Sequence, residues 1–123
     1  SKIKVPFEIK GRDLCRDEFK AMEFDKDPLI SGKLTLGLYS QVILAGDEVM
    51  KKSYYIDVPT FILASGDDTI SSSETVRLFS RGMPKKISKF VFLGNFKHDI
   101  YNDSERTNLF KQIYSWLKKT EII

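Results

Sequence analysis

The sequence predicts an α/β protein, in which a mostly helical segment precedes a strand-helix-strand-helix unit of a parallel sheet. Three observations predict it. VPTFILAS (58–65) and KISKFVFLG (86–94) are short apolar runs bounded by turn residues, the pattern of strands buried on both faces. Between them, Val76, Leu78 and Phe79 supply the face of a helix ending near Gly82. After the second run, Leu109, Phe110, Ile113, Trp116 and Leu117 share one stripe of a longer amphipathic helix. Joined by short connections, these elements form a right-handed βαβ unit followed by a helix.

Taken in order, residues 1–12 alternate through Ile3, Val5, Phe7 and Ile9 up to Gly11, which predicts an edge strand or an extended lead-in. Residues 13–24 offer Leu14, Phe19, Met22 and Phe24 as anchors for one or two helical turns, and Asp27-Pro28 marks a turn or a helix start. From Lys33 to about Lys52 the pattern is helical, with two adjoining stripes: Leu38, Val42, Ala45 and Val49, then Leu36, Tyr39, Ile43 and Met50. Such a helix either packs into a core or turns one stripe to the protein and the other to an apolar ligand. Ser71 with Glu74, and Asn102 with Glu105, have capping-box spacing and predict the starts of the last two helices.

Composition bounds the function. With 123 residues, 41% hydrophobic and 30% charged, the chain has the make-up of one soluble domain. The net charge is only +3, and the lysine pairs at 51–52, 85–86 and 118–119 are scattered, which argues against nucleic-acid binding. Cys15 is the lone cysteine and His98 the lone histidine. An internal disulfide and a cysteine-based zinc site are therefore excluded within one chain. No run approaches the roughly 20 apolar residues that span a bilayer. The expected location is the cytoplasm, with contact to membrane surfaces. The N-terminus, SKIKVPFEIK, has no signal-peptide pattern and no initiator Met, and reads as the start of a fragment.

Ligands of open parallel sheets sit beyond the carboxyl ends of the strands. Two polar loops lie there: Asp67-Asp68 after the first strand, and Asn95-Phe96-Lys97-His98 after the second. Adjacent carboxylates repel, so either both face water as turn residues or one has a partner elsewhere. A carboxylate and a histidine on neighbouring loops form an acid–base pair when one imidazole nitrogen donates to the carboxylate and the other stays free.

VPTFILASGDDTI, then GNFKHDIYNDSE with its histidine thirty residues after Asp68, then the helix carrying Trp116, resembles the C-terminal end of α/β-hydrolases. The pattern is similar to monoacylglycerol lipases and lysophospholipases of the serine aminopeptidase group. DPLI at 27–30 matches the end of that group's lid region. The resemblance covers about residues 25–120. It implies a partial α/β-hydrolase fold, with a lid segment over 1–53 and a C-terminal βαβα part over 54–123. It assigns Asp68 as the triad acid and His98 as the base, with Gly94 opening the His98 loop and Asp67 at a variable position. It makes Leu36, Leu38, Tyr39, Val42 and Ile43 candidate acyl contacts, and it implies a lipid ester substrate with no metal or organic cofactor.

The nucleophile of that fold stands in Gly-x-Ser-x-Gly. The glycines here, at 11, 32, 37, 46, 66, 82 and 94, include no pair four apart. The expectation is a chain that holds the acid and base of a serine esterase and is inactive without a further N-terminal half. The alternative is a non-catalytic binding or assembly module with a hydrolase-like end. Two core strands stripped of their neighbours expose an unpaired edge and an apolar face, which predicts self-association of the isolated chain.

Overall fold

Thr60–Ser65 (β3) and Ser88–Leu93 (β4) form the parallel ladder that the two apolar runs predict, in a computed structural model describing residues 2–121. The register pairs Thr60 with Ser88 and Ser65 with Leu93, so both strands end level. Ahead of them come β1 (Lys4–Pro6), α1 (Gly11–Leu14), α2 (Glu18–Lys26), β2 (Lys33–Thr35) and α3 (Leu36–Lys51). The helix α4 (Ser73–Gly82) crosses from β3 to β4, and α5 (Arg106–Lys119) follows β4.

The alternation of β3 sends Ile62 and Ala64 to one face, where they are buried beside α4. Phe61 and Leu63 face the other way. Phe61 stacks on Trp116 of α5 with centroids 5.4 Å apart, and Leu63 packs on the core of Leu93, Phe96 and Leu109. Phe61 and Leu63 are only half-buried, so full burial on both faces is not reached. A single helix on that side does not cover both strands. The α5 stripe holds for Leu109, Ile113, Trp116 and Leu117. Phe110 instead turns outward to stack on Tyr101 at 6.1 Å.

The N-terminal segment departs from its pattern. Ile3 to Ile9 contains a real strand, β1, but it pairs antiparallel with β2, whose three residues the helical reading had included. Thr35 ends that helix reading on the N-terminal side, because its hydroxyl accepts the Leu38 N–H and caps α3. In α2, Phe19 and Met22 are exposed and the small Ala21 is the buried residue. Asp27 does form the expected turn, its carboxylate accepting the Leu29 N–H at 2.9 Å.

Both capping boxes are corrected. Ser72, one residue beyond Ser71, caps α4 by accepting from Thr75 N–H. Leu78 faces solvent on that helix. Asn102 bonds the Asp99 side chain at 2.7 Å, and α5 begins only at Arg106, with no side-chain cap. In each case a competing partner nearby captured the polar side chain.

Candidate active site

The level ends of β3 and β4 bring two loops side by side. Gly66 N–H donates to Leu93 O at 2.9 Å, and Asp67 N–H donates to Phe96 O at 3.0 Å. The approach is so close that a Cβ on Gly66 would lie 2.3 Å from Gly94 O, which is why glycine is needed there. Asp67 is exposed and contributes its backbone, as a turn residue does.

Asp68 is the carboxylate with partners. Its Oδ1 accepts the N–H groups of Ile70 at 2.8 Å and Ser71 at 2.9 Å, while Oδ2 accepts the Ser71 hydroxyl at 2.5 Å. The same Oδ2 stands 2.9 Å from His98 Nδ1. Only 7% of the Asp68 side chain is exposed, against 41% for His98. Burial by itself would raise the Asp68 pKa. The Ser71 hydroxyl and N–H, His98 and the Ile70 N–H outweigh it and hold the carboxyl below its ordinary range. An ionised carboxylate only accepts, so the proton between the two sits on Nδ1. In the neutral imidazole Nε2 then keeps its lone pair, and 41% of the side chain is exposed.

Ser71 is not a nucleophile in this arrangement. Its Oγ lies 3.5 Å from Nδ1, the nitrogen Asp68 already engages, and its proton points to Asp68. A triad nucleophile must meet Nε2. Ser71 instead completes the shell of the acid. Its spacing three residues after Asp68 is the one signal that pointed to a local turn partner.

A second charged pair lies behind the histidine loop. Asp103, 0% exposed, receives a forked pair of bonds from Arg16, Nε to Oδ2 at 2.9 Å and Nη2 to Oδ1 at 2.6 Å. Burial opposes ionisation of Asp103, yet Arg16 and the Glu105 N–H hold its pKa below the ordinary value. Arg106 likewise pairs with Asp17 at 3.2 Å. These residues stand 87 and 89 apart in sequence, and nothing in the sequence pattern marks them as partners.

The structure brings Asp68 and His98 together, but it does not bury the α3 residues. Leu36, Leu38, Tyr39, Val42 and Ile43 are 38–59% exposed on a helix with no buried residue. That helix rests on β2 and on the Ser53–Tyr55 turn. Among the described residues no group of three or more His, Cys, Asp or Glu is placed to hold a metal ion. No helix among them is long and apolar enough to cross a membrane.

A family model described as serine aminopeptidase, S33 (Hydrolase_4), matches residues 1–105. The chain belongs to this family. Among curated proteins, this S33 chain is 23% identical over 111 residues to YnbC of Escherichia coli, described as uncharacterized. It is 21% identical over 107 residues to an uncharacterized abhydrolase domain-containing protein of Dictyostelium discoideum. These matches cover 90% and 86% of the chain but only 19% and 11% of the relatives. Among solved structures, it superposes on a monoacylglycerol lipase of Paleococcus ferrophilus with a TM-score of 0.85 at 19% identity. A soluble variant of the Saccharomyces cerevisiae monoglyceride lipase gives 0.83 at 18%. The alignments take in 94% and 96% of this chain and 45% and 44% of the lipases. The S33 chain thus has part of the α/β-hydrolase fold of the monoacylglycerol-lipase type, and spans less than half the length of the lipases it matches.

Proposed function

We propose that this S33 chain supplies the acid and base of a serine ester hydrolase acting on monoacylglycerols or lysophospholipids. The observation that carries the reading is the 2.9 Å contact of His98 Nδ1 with Asp68 Oδ2, which leaves Nε2 free beyond the strand ends. Membership of the hydrolase family supports it, as does the likeness to two proteins described as monoacylglycerol and monoglyceride lipases. The serine and its oxyanion donors would come from a segment outside these 123 residues.

In the proposed reaction that serine attacks the ester carbonyl as His98 Nε2 takes its proton, and the new C–O bond makes a tetrahedral oxyanion. Asp68 stabilises the imidazolium and holds its orientation. Collapse breaks the ester C–O bond, and Nε2–H protonates the departing alcohol. Water repeats the sequence on the acyl-enzyme, releasing the fatty acid.

A fluorophosphonate probe tests the division of labour. The chain alone should remain unlabelled, and a protein that joins it to a nucleophile-bearing half should label and hydrolyse monoacylglycerol. In that protein Asp68→Asn and His98→Ala should each lower kcat by on the order of 10⁴-fold. Labelling of the chain alone, or near wild-type rates in either variant, would refute the assignment.

A further inference from the structure

We propose that Arg16 is a positioning residue for His98, the anchor of a clamp by which residues 12–16 grip the loop on both sides of the imidazole. This rests on reading Asp68 and His98 as an acid–base pair.

Three loop residues flanking His98 are each held by the same short segment. Lys97 Nζ donates to the Arg12 carbonyl. Asp99 N–H donates to the Leu14 carbonyl at 2.7 Å. Asp103 takes the Arg16 fork at 2.9 and 2.6 Å. Arg16 also reaches the other side of the histidine. Its guanidinium lies 4.8 Å over the ring of buried Phe96, whose carbonyl accepts the Asp67 N–H at 3.0 Å. A single side chain therefore contacts the residue two before His98 and the residue five after it. Through Phe96 it also reaches the turn that carries Asp68.

The chemistry of the pair suits positioning better than it suits stability. Asp103 is buried and Arg16 is 26% exposed, and an ion pair that gives up most of its hydration is commonly no more stable than an apolar pair of similar size. A guanidinium fork on a carboxylate, with its flat face on an aromatic ring, does fix distance and angle together. Lysine keeps the charge but reproduces neither the fork nor the flat contact. Among the described residues the imidazole bonds to Asp68 and Ser71 alone, so the loop backbone decides where Nε2 sits.

His98 is the only histidine, so its imidazole gives a single set of side-chain resonances in a ¹⁵N-histidine-labelled chain. A proton donated from Nδ1 to a carboxylate gives a downfield Nδ1–H signal, recorded at low temperature because the side chain is 41% exposed. Wild type should show it and Asp68→Asn should lose it. Arg16→Lys should lose it while far-UV circular dichroism and Trp116 fluorescence stay unchanged. The double variant Arg16→Met with Asp103→Leu removes the buried carboxylate together with its partly exposed partner, so the fork is lost without leaving Asp103 unpaired, and the same two readouts check its folding. It too should lack the signal. An undiminished signal in Arg16→Lys or in the double variant overturns the clamp. A signal absent from wild type, or surviving in Asp68→Asn, instead overturns the acid–base reading beneath it.

Discussion

Ser71 shows how one hydroxyl sets the state of the site. It donates to the same Asp68 oxygen that faces His98, so it helps keep the acid ionised and able to accept from Nδ1. Ser71→Ala should bring the Asp68 carboxyl titration, followed by ¹³C NMR, closer to that of an ordinary aspartate. The linkage has a definite sign. Asp68 and Asp103 have folded-state pKa values below their unfolded ones, so they favour the folded state above about pH 4. That contribution disappears as pH falls through the folded values. Urea midpoints should therefore drop between pH 6 and pH 3, and the slope should flatten in Ser71→Ala. An unchanged slope would mean the hydroxyl does not stabilise the carboxylate. The loops that carry Asp68 and His98 were legible from sequence because each follows an apolar strand, while the choice of Asp68 over Asp67 came from the family resemblance. Ser71 was misread as a cap, since a capping box and an acid-binding turn use the same spacing.

Among the elements, the paired loops after β3 and β4 are the rigid part of the site. Gly66→Ala places a methyl against the Gly94 carbonyl and the Phe92 ring. Forcing the loops apart should cost about 1–3 kcal/mol in denaturant unfolding and disturb the His98 signal together with stability. A loss below ~0.5 kcal/mol would show that the loops separate freely. Leu109, 1% exposed under the same loops, should cost about 2–5 kcal/mol as Leu109→Ala. The existence of β3, β4, α4 and α5 was readable because burial of a strand or stripe demands a periodic pattern. Their ends were less so. Ser72 rather than Ser71 caps α4, and Asn102 turns to Asp99 so that α5 starts only at Arg106, because nearby partners compete for the polar side chains.

For the whole molecule, the open surface is the dominant feature. Among the described residues β3 has β4 as its one sheet neighbour, and α3 presents Leu38, Val42, Ile43 and Leu44 to solvent, each more than half exposed. Apolar exposure of this extent, beside an unpaired strand edge, favours association. Sedimentation should show concentration-dependent species larger than one chain, and Ile43→Glu with Leu44→Lys should shift the balance toward monomer. A monodisperse monomer at all concentrations would count against this expectation. By itself the sequence determined the α/β class, the order of the last four elements and the two loops that carry Asp68 and His98. Those features follow from local periodicity and from chain direction, which any short window displays. Only the tertiary structure decided that Asp68 Oδ2 meets Nδ1 and leaves Nε2 free, that β1 pairs with β2, and that Arg16 reaches Asp103. Each of those depends on contacts between residues far apart in the chain, whose geometry is set by packing and has no local pattern to announce it.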